Sequence, residues 1–175
     1  STRQKTRWQT MGQCMVQGQS ISSSPREVYW FVGASYGGRD DQTERFTTEG
    51  IWENGYEDRY LDLVREMRPG DRIAIKAAYT RKNGLPFDNR GHVVSTMAIK
   101  AVGRVLENFN DGRRLRVDWI KLEAPREWYF YTNRATVWRV APGGWMEDGL
   151  LAFAIDGQPQ DLDRFRNEPF WRERF

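Results

Sequence analysis

Val28-Tyr29-Trp30-Phe31-Val32 closes on Gly33, and this short run of β-branched and aromatic residues reads as a buried strand that opens the folded domain. Ahead of it, residues 1–26 are rich in Gln, Ser, Thr and Arg, end in Ser22-Ser23-Ser24-Pro25 and show no sustained apolar period. They are expected to form a flexible leader. Downstream, residues 57–67 place Tyr60, Leu61, Val64 and Met67 at helical spacing, and Arg68-Pro69-Gly70 stops the pattern, which predicts an amphipathic helix. Residues 71–78 alternate Ile73 and Ile75 with smaller or polar side chains. Residues 96–106 and 114–122 look similar, and 128–138 add more aromatic and β-branched residues. The expected fold class is α+β: a small, mostly antiparallel β-barrel of five or six strands with flanking helices, spanning residues 27–142. After Pro142-Gly143-Gly144 the composition turns acidic, and Leu162, Phe165 and Phe170 are candidate anchors of a terminal helix interrupted at Pro169. Residues 143–175 are therefore expected to be an extension leading towards another domain.

A chain of 175 residues suits one core with a terminal extension. It has no run of eighteen apolar residues, and its start lacks the sections of a signal peptide, so a cytoplasmic location is expected. One cysteine, Cys14, and one histidine, His92, leave no internal disulfide and no Cys/His metal cage. No metal and no cofactor is implied. Net charge is only +3, but residues 71–140 carry fourteen Lys or Arg against seven Asp or Glu, whereas residues 36–70 carry five against nine. The basic middle is either a solvated surface or a phosphate-contacting face whose binding would depend strongly on salt.

Signatures of chemistry are missing. There is no GxxxxGK[ST] phosphate loop, no GxSxG elbow, no HExxH and no paired-cysteine motif. Glu53, Glu57, Asp58 and Asp62 are acidic, but Asp58 and Asp62 stand one helical turn apart and read as a solvated helix face rather than an acid–base pair. A non-catalytic chain is expected. Aromatics are abundant instead, with eight Trp, seven Tyr and nine Phe. Trp30 and Trp119, each on an alternating strand, read as core. Trp52 sits between Gly50 and Gly55 in a glycine-loosened stretch, and reads as a pocket wall.

Phe31-Val32-Gly33-Ala34-Ser35-Tyr36, then Asp40-Asp41, Gly50-Ile51-Trp52 and Tyr60-Leu61-Asp62, resemble in order and spacing the opening of YTH domains, readers of methylated adenine. In that family a strand ends in a Lys-Ser-Tyr or Lys-Ser-Asn turn, an acidic pair starts a helix, and a Gly-Val-Trp supplies the first wall of an aromatic base cage. Ser35 and Trp52 occupy the matching positions. Val117-Asp118-Trp119 resembles the family's structural strand Trp, and the arrangement is similar to the wider PUA/EVE/YTH-like group of barrels over roughly residues 28–140. Residues 70–81, 85–91, 111–119 and 125–140 more closely resemble the N-terminal EVE/YTH-like domains of McrB-like type IV restriction GTPases. There the resemblance implies a specificity domain for double-stranded DNA carrying a modified base, working with an AAA+ GTPase motor and a McrC-like nuclease. The chain departs from the YTH pattern at Ala34, where the family has Lys, and lacks a counterpart of the second cage Trp. Tyr79 is the expected replacement, with Trp128 or Tyr129 as a third wall.

The mechanism expected is base flipping. Rotating a nucleotide out of the stack costs a few kcal/mol, which aromatic stacking, at roughly 1–3 kcal/mol per base, offsets. Burying the added methyl contributes about 0.8 kcal/mol more. Ser35 and Tyr36, with Asn54 and Asp88, are the candidate readers of the base edge. Lys76, Arg81, Lys82, Arg90, Arg126 and Arg134 are the candidate phosphate contacts. Which base is preferred among 5-methylcytosine, 5-hydroxymethylcytosine, N4-methylcytosine and N6-methyladenine is left open by these residues. Two rival readings are an RNA-side reader of the PUA/YTH superfamily and a protein-interaction module with an exposed aromatic patch.

Overall fold

A computed structural model describes residues 27–175; the expected leader, with Cys14, lies outside the described residues. The chain forms β1 (Tyr29–Val32), a two-residue hairpin of β2 (Ser35–Tyr36) and β3 (Asp40–Asp41), α1 (Thr43–Glu49), β4 (Ile51–Glu53) and α2 (Leu61–Glu66). Three long strands follow, β5 (Arg72–Arg81), β6 (Val94–Asn108) and β7 (Arg114–Tyr129), then β8 (Val137–Val140), α3 (Trp145–Asp156), α4 (Leu162–Arg166) and α5 (Pro169–Arg172). Six strands make one curled sheet in the order β4-β7-β6-β5-β1-β8, a half-barrel whose edges β4 and β8 do not meet. The class is α+β. Every pairing is antiparallel except β1 with β5, which run parallel from Tyr29↔Arg72 to Val32↔Ile75. A parallel pair needs a crossover, and here the hairpin, α1, β4 and α2 supply it.

At β1 both faces of the sheet are buried, which is why Trp30, Phe31 and Val32 are all apolar. Trp30 and Val32 point into one core with Ile73, Ile75, Trp52 and Leu115, while Phe31 and Ala74 join the other with Met97, Ile99 and Trp128. Along β6 the odd-numbered Met97 and Ile99 lie in one core and the odd-numbered Ala101 and Val105 in the other. The switch falls at Lys100: Lys76 pairs with Ile99 and Ile75 with Ala101, so one residue of β6 bulges and the alternation inverts. Opposite it, Ile99 pairs with Arg126 and Ala101 with Lys121, so β7 spends residues 122–125, ending in Pro125, on a bend. The bulge and this bend are what curl the sheet.

Two expected elements are shorter than their patterns. The helix predicted over 57–67 starts only at Leu61, because the Asn54 side chain donates to the Arg59 carbonyl and accepts from the Tyr56 amide, and Tyr60 takes a left-handed φ of 66°. The strand predicted over 128–138 breaks after Tyr129, where Phe130 turns to φ 77° and the chain loops before β8. Residues 143–175, expected as an extension, pack onto the sheet. Leu150, Phe153, Ala154, Phe165 and Phe175 are buried in the same core as Phe31 and Trp128, and the Trp128 ring meets Phe153 at 5.2 Å and Phe165 at 5.1 Å. Apolar side chains in α3 and α4 therefore cover a sheet face that would otherwise stand in water. Among the described residues no helix is long and apolar enough to cross a membrane.

Candidate nucleic-acid cleft

A cleft of about 330 Å³ opens where β1 ends while its parallel neighbour β5 runs on. Gly33, Ala34 and Ser35 form one side as the chain leaves β1, Lys76 to Tyr79 form the floor, and Arg134, Ala135 and Thr136 form the other side. The Gly33 amide donates to the Thr136 carbonyl at 2.8 Å, tying the two sides together. Lys76 anchors the far side from below, its Nζ donating to the carbonyls of Asn133 at 2.7 Å and Ala135 at 2.6 Å. Burial, and secondarily the charge of Arg134, pull the Lys76 ammonium down to about 8. Those two carbonyls are what keep a buried cation tolerable.

The other candidate residues separate into three groups. Ser35 is exposed on the cleft wall, half-buried Tyr79 is among the lining residues, and Arg134 lies exposed at the rim. Trp52, by contrast, is fully buried; it pairs with Leu115 across β4 and β7, and its indole N–H donates to the Gly33 carbonyl at 2.9 Å. It is not a pocket wall but a strut behind one. Trp128 is likewise fully buried, its N–H spent on the Tyr131 carbonyl. Asn54 is fully buried and holds the 54–60 loop and the Gly112 carbonyl, so it reads no base. Tyr36 turns away from the cleft, its hydroxyl donating to the Glu53 carbonyl and its ring packing edge-on against Phe46. Asp88 accepts from the Arg90 amide, and its carbonyl accepts from Arg166 of α4, which places it against the C-terminal helices rather than the cleft.

The cationic candidates also divide. Lys76 is sealed on backbone carbonyls and offers nothing to a phosphate. Arg81 is paired with Glu127 and donates to the Asn83 and Gly84 carbonyls, and Arg126 donates to the Phe153 carbonyl with its guanidinium 4.0 Å from that ring's centre. Arg90 lies with Arg166 and Arg172 in a separate depression. Among the described residues Lys82, Arg90 and Arg134 form no ion pair, while Arg72, Lys100, Arg104, Arg114, Arg116, Lys121 and Arg139 all do. The excess of basic residues in the middle of the chain is therefore largely absorbed within the fold.

Behind Tyr79 lies a second, larger cleft of about 640 Å³, walled by Tyr79, Tyr129, Phe153 and the prolines 86, 125 and 159. Its polar centre is Glu127, which the sequence reading missed. Tyr79 donates to Glu127 Oε2 at 2.5 Å, while Tyr129 at 2.9 Å and Arg81 donate to Oε1. Burial disfavours the Glu127 carboxylate, but the hydrogen bonds from the two tyrosines and the charge of Arg81 outweigh it and hold the group below the usual carboxylate range. The same partners act oppositely on the phenols: burial and then the bond to Glu127 push Tyr129 up to about 12, and raise Tyr79 as well. Both tyrosines stay neutral donors. A cue existed in Glu127 flanked by Arg126, Trp128 and Tyr129, but the cross-strand register Tyr79↔Thr96↔Tyr129 that gathers these groups is not visible in sequence. Among the described residues no three or more His, Cys, Asp or Glu side chains converge as a metal site would need.

No protein-family model matches the chain, and no curated protein is significantly similar to it.

Proposed function

We propose that the chain is a non-catalytic reader of a modified base in DNA, which takes the flipped base into the cleft between the end of β1 and the loop before β8. One observation carries this reading: an exposed hydroxyl (Ser35), an aromatic ring (Tyr79) and an exposed guanidinium (Arg134) line a single cleft of about 330 Å³. These are the three contacts a nucleotide needs, for its base edge, its base face and its phosphate. With Trp52 and Trp128 in the core, the stacking ring is Tyr79. One ring supplies roughly 1–3 kcal/mol, close to the cost of unstacking. The methyl group then decides the outcome, and its burial at about 0.8 kcal/mol amounts to about a fourfold preference. In keeping with its resemblance to the N-terminal domains of McrB-like GTPases, the reader would direct an AAA+ GTPase and its nuclease partner to modified DNA.

The test is a titration of matched duplexes, unmodified or carrying one of the four candidate modifications, against the protein and two variants. Tyr79→Ala should remove the preference for modified duplex and leave weak general binding. Arg134→Ala should weaken modified and unmodified duplex alike and lower the salt dependence of binding by about one phosphate contact. Equal affinity for every duplex in the unaltered protein would refute the reading. Tighter binding to single-stranded RNA than to any DNA would move the same cleft to an RNA-side role.

A further inference from the structure

Tyr79 belongs to both clefts, and on that basis we infer that the larger cleft is a second nucleobase subsite, for the nucleotide next to the modified one. This rests on the base-reading proposal above. Tyr79 is the residue the two spaces share: Ser35 and Arg134 line one of them with it, and Tyr129, Phe153 and the three prolines line the other. Flat, largely apolar walls around a volume of about 640 Å³ suit a planar ring. The carboxylate at the centre raises the question of a cationic ligand, since aromatic walls with an acid also suit an ammonium group. The charges argue against it. Glu127 is already neutralised by Arg81, and the Arg126 guanidinium lies in the same cleft over Phe153. A neutral ring with a hydrogen-bond donor is what fits.

Glu127 also sets which ring. Among the described residues its Oε1 accepts from both Arg81 and Tyr129, but its Oε2 accepts only from Tyr79, which leaves one lone pair open. A carboxylate acceptor selects an exocyclic amino group, as on cytosine N4, adenine N6 or guanine N2, and disfavours thymine, which has none and whose one N–H lies between two carbonyl oxygens. The bond to Tyr79 does a second job: it fixes the shared ring by its hydroxyl, so that a base bound in one space meets a ring already held for the other. The recognised unit is then two consecutive nucleotides splayed across Tyr79. Both must leave the stack, so a locally opened strand is the favoured substrate.

Single-stranded oligonucleotides carrying the modified base separate this inference from the one beneath it, because little stacking has to be broken in them. The unaltered protein is titrated with strands that have a normal or an abasic neighbour on the 5′ or the 3′ side. An abasic site on one particular side should weaken binding by about 5- to 150-fold, and on the other side by less than about twofold. With intact neighbours on that side, cytosine, adenine or guanine should bind more tightly than thymine, and Glu127→Gln should abolish that order. Affinity indifferent to abasic sites on both sides, with the modification ratio retained, overturns the second subsite alone. A modification ratio of one in every strand overturns the base-reading proposal and this inference together.

Discussion

Replacing Trp52 by alanine separates a wall from a strut. Its indole is fully buried among Leu115, Val117, Val32 and their neighbours, so truncation opens a cavity the size of a bicyclic ring. Trp→Ala changes at such sites cost about 3–5 kcal/mol. The same change strands the Gly33 carbonyl, which now accepts the indole N–H at 2.9 Å, and an unsatisfied buried acceptor adds about 1–3 kcal/mol wherever water cannot reach it. Taking the low end of that sum, about 4 kcal/mol, and about 2–4 °C per kcal/mol for a domain of this size, the melting midpoint should fall by at least about 8–16 °C. Circular dichroism at 222 nm during heating, backed by urea titration, measures it. Trp52→Phe should lose less, because the ring still fills much of the space and only the hydrogen bond goes. The less stable but still folded Trp52→Phe protein should keep its preference for modified duplex. If Trp52→Ala melted within about 2 °C of the parent while losing that preference, the indole would be lining an open pocket, and its role as a buried strut between β4 and Gly33 would be refuted.

Two further expectations concern the core and the buried lysine. Phe165→Ala should destabilise the protein by about 3–5 kcal/mol in urea unfolding, because the ring is buried against Trp128 and Phe130, whereas an independent extension would leave stability unchanged. Lys76 titrates near 8 when folded and at 10.5 in its reference state, so the unfolded chain holds the proton more tightly and stability should rise with pH through that window. Between pH 7.5 and 9.5 the gain is about 2 kcal/mol. Lys76→Met should not show it. The window stops at 9.5 because Tyr79 and Tyr131, held above their ordinary value by burial and by Glu127 and Glu147, bring the opposite slope once unfolded tyrosines begin to ionise. Equal pH profiles for the parent and Lys76→Met would mean that Lys76 is solvated.

What the amino-acid sequence determined by itself was local. A continuous apolar run over 28–32 and the alternation around Ile73 and Ile75 over 71–78 placed two strands, observed as Tyr29–Val32 and Arg72–Arg81, because those side-chain patterns act locally whatever pairs with them. Leu61, Val64 and the stop at Pro69 placed the helix, since 3.6-residue spacing and a missing amide act within a few residues. Ser35 and Tyr79 were singled out by the resemblance to YTH domains and Arg134 by its place beside an aromatic run, and all three line one cleft. Only the tertiary structure decided which rings are accessible. Trp52 in its glycine-flanked segment looks like a loop aromatic, yet a three-residue pairing with β7 turns it inward, and its N–H finds an acceptor nineteen positions away in Gly33. The C-terminal helices look acidic and detachable until their few apolar residues meet a sheet face left bare by the alternation of β1 and β5. Glu127 and Tyr79 are forty-eight positions apart, and their bond exists because a bulge at Lys100 and a bend before Arg126 set the register of three strands. Register is a property of paired strands, and a one-residue shift exchanges the faces of every side chain beyond it. That is why residue types could be chosen from the chain alone, whereas their orientation could not.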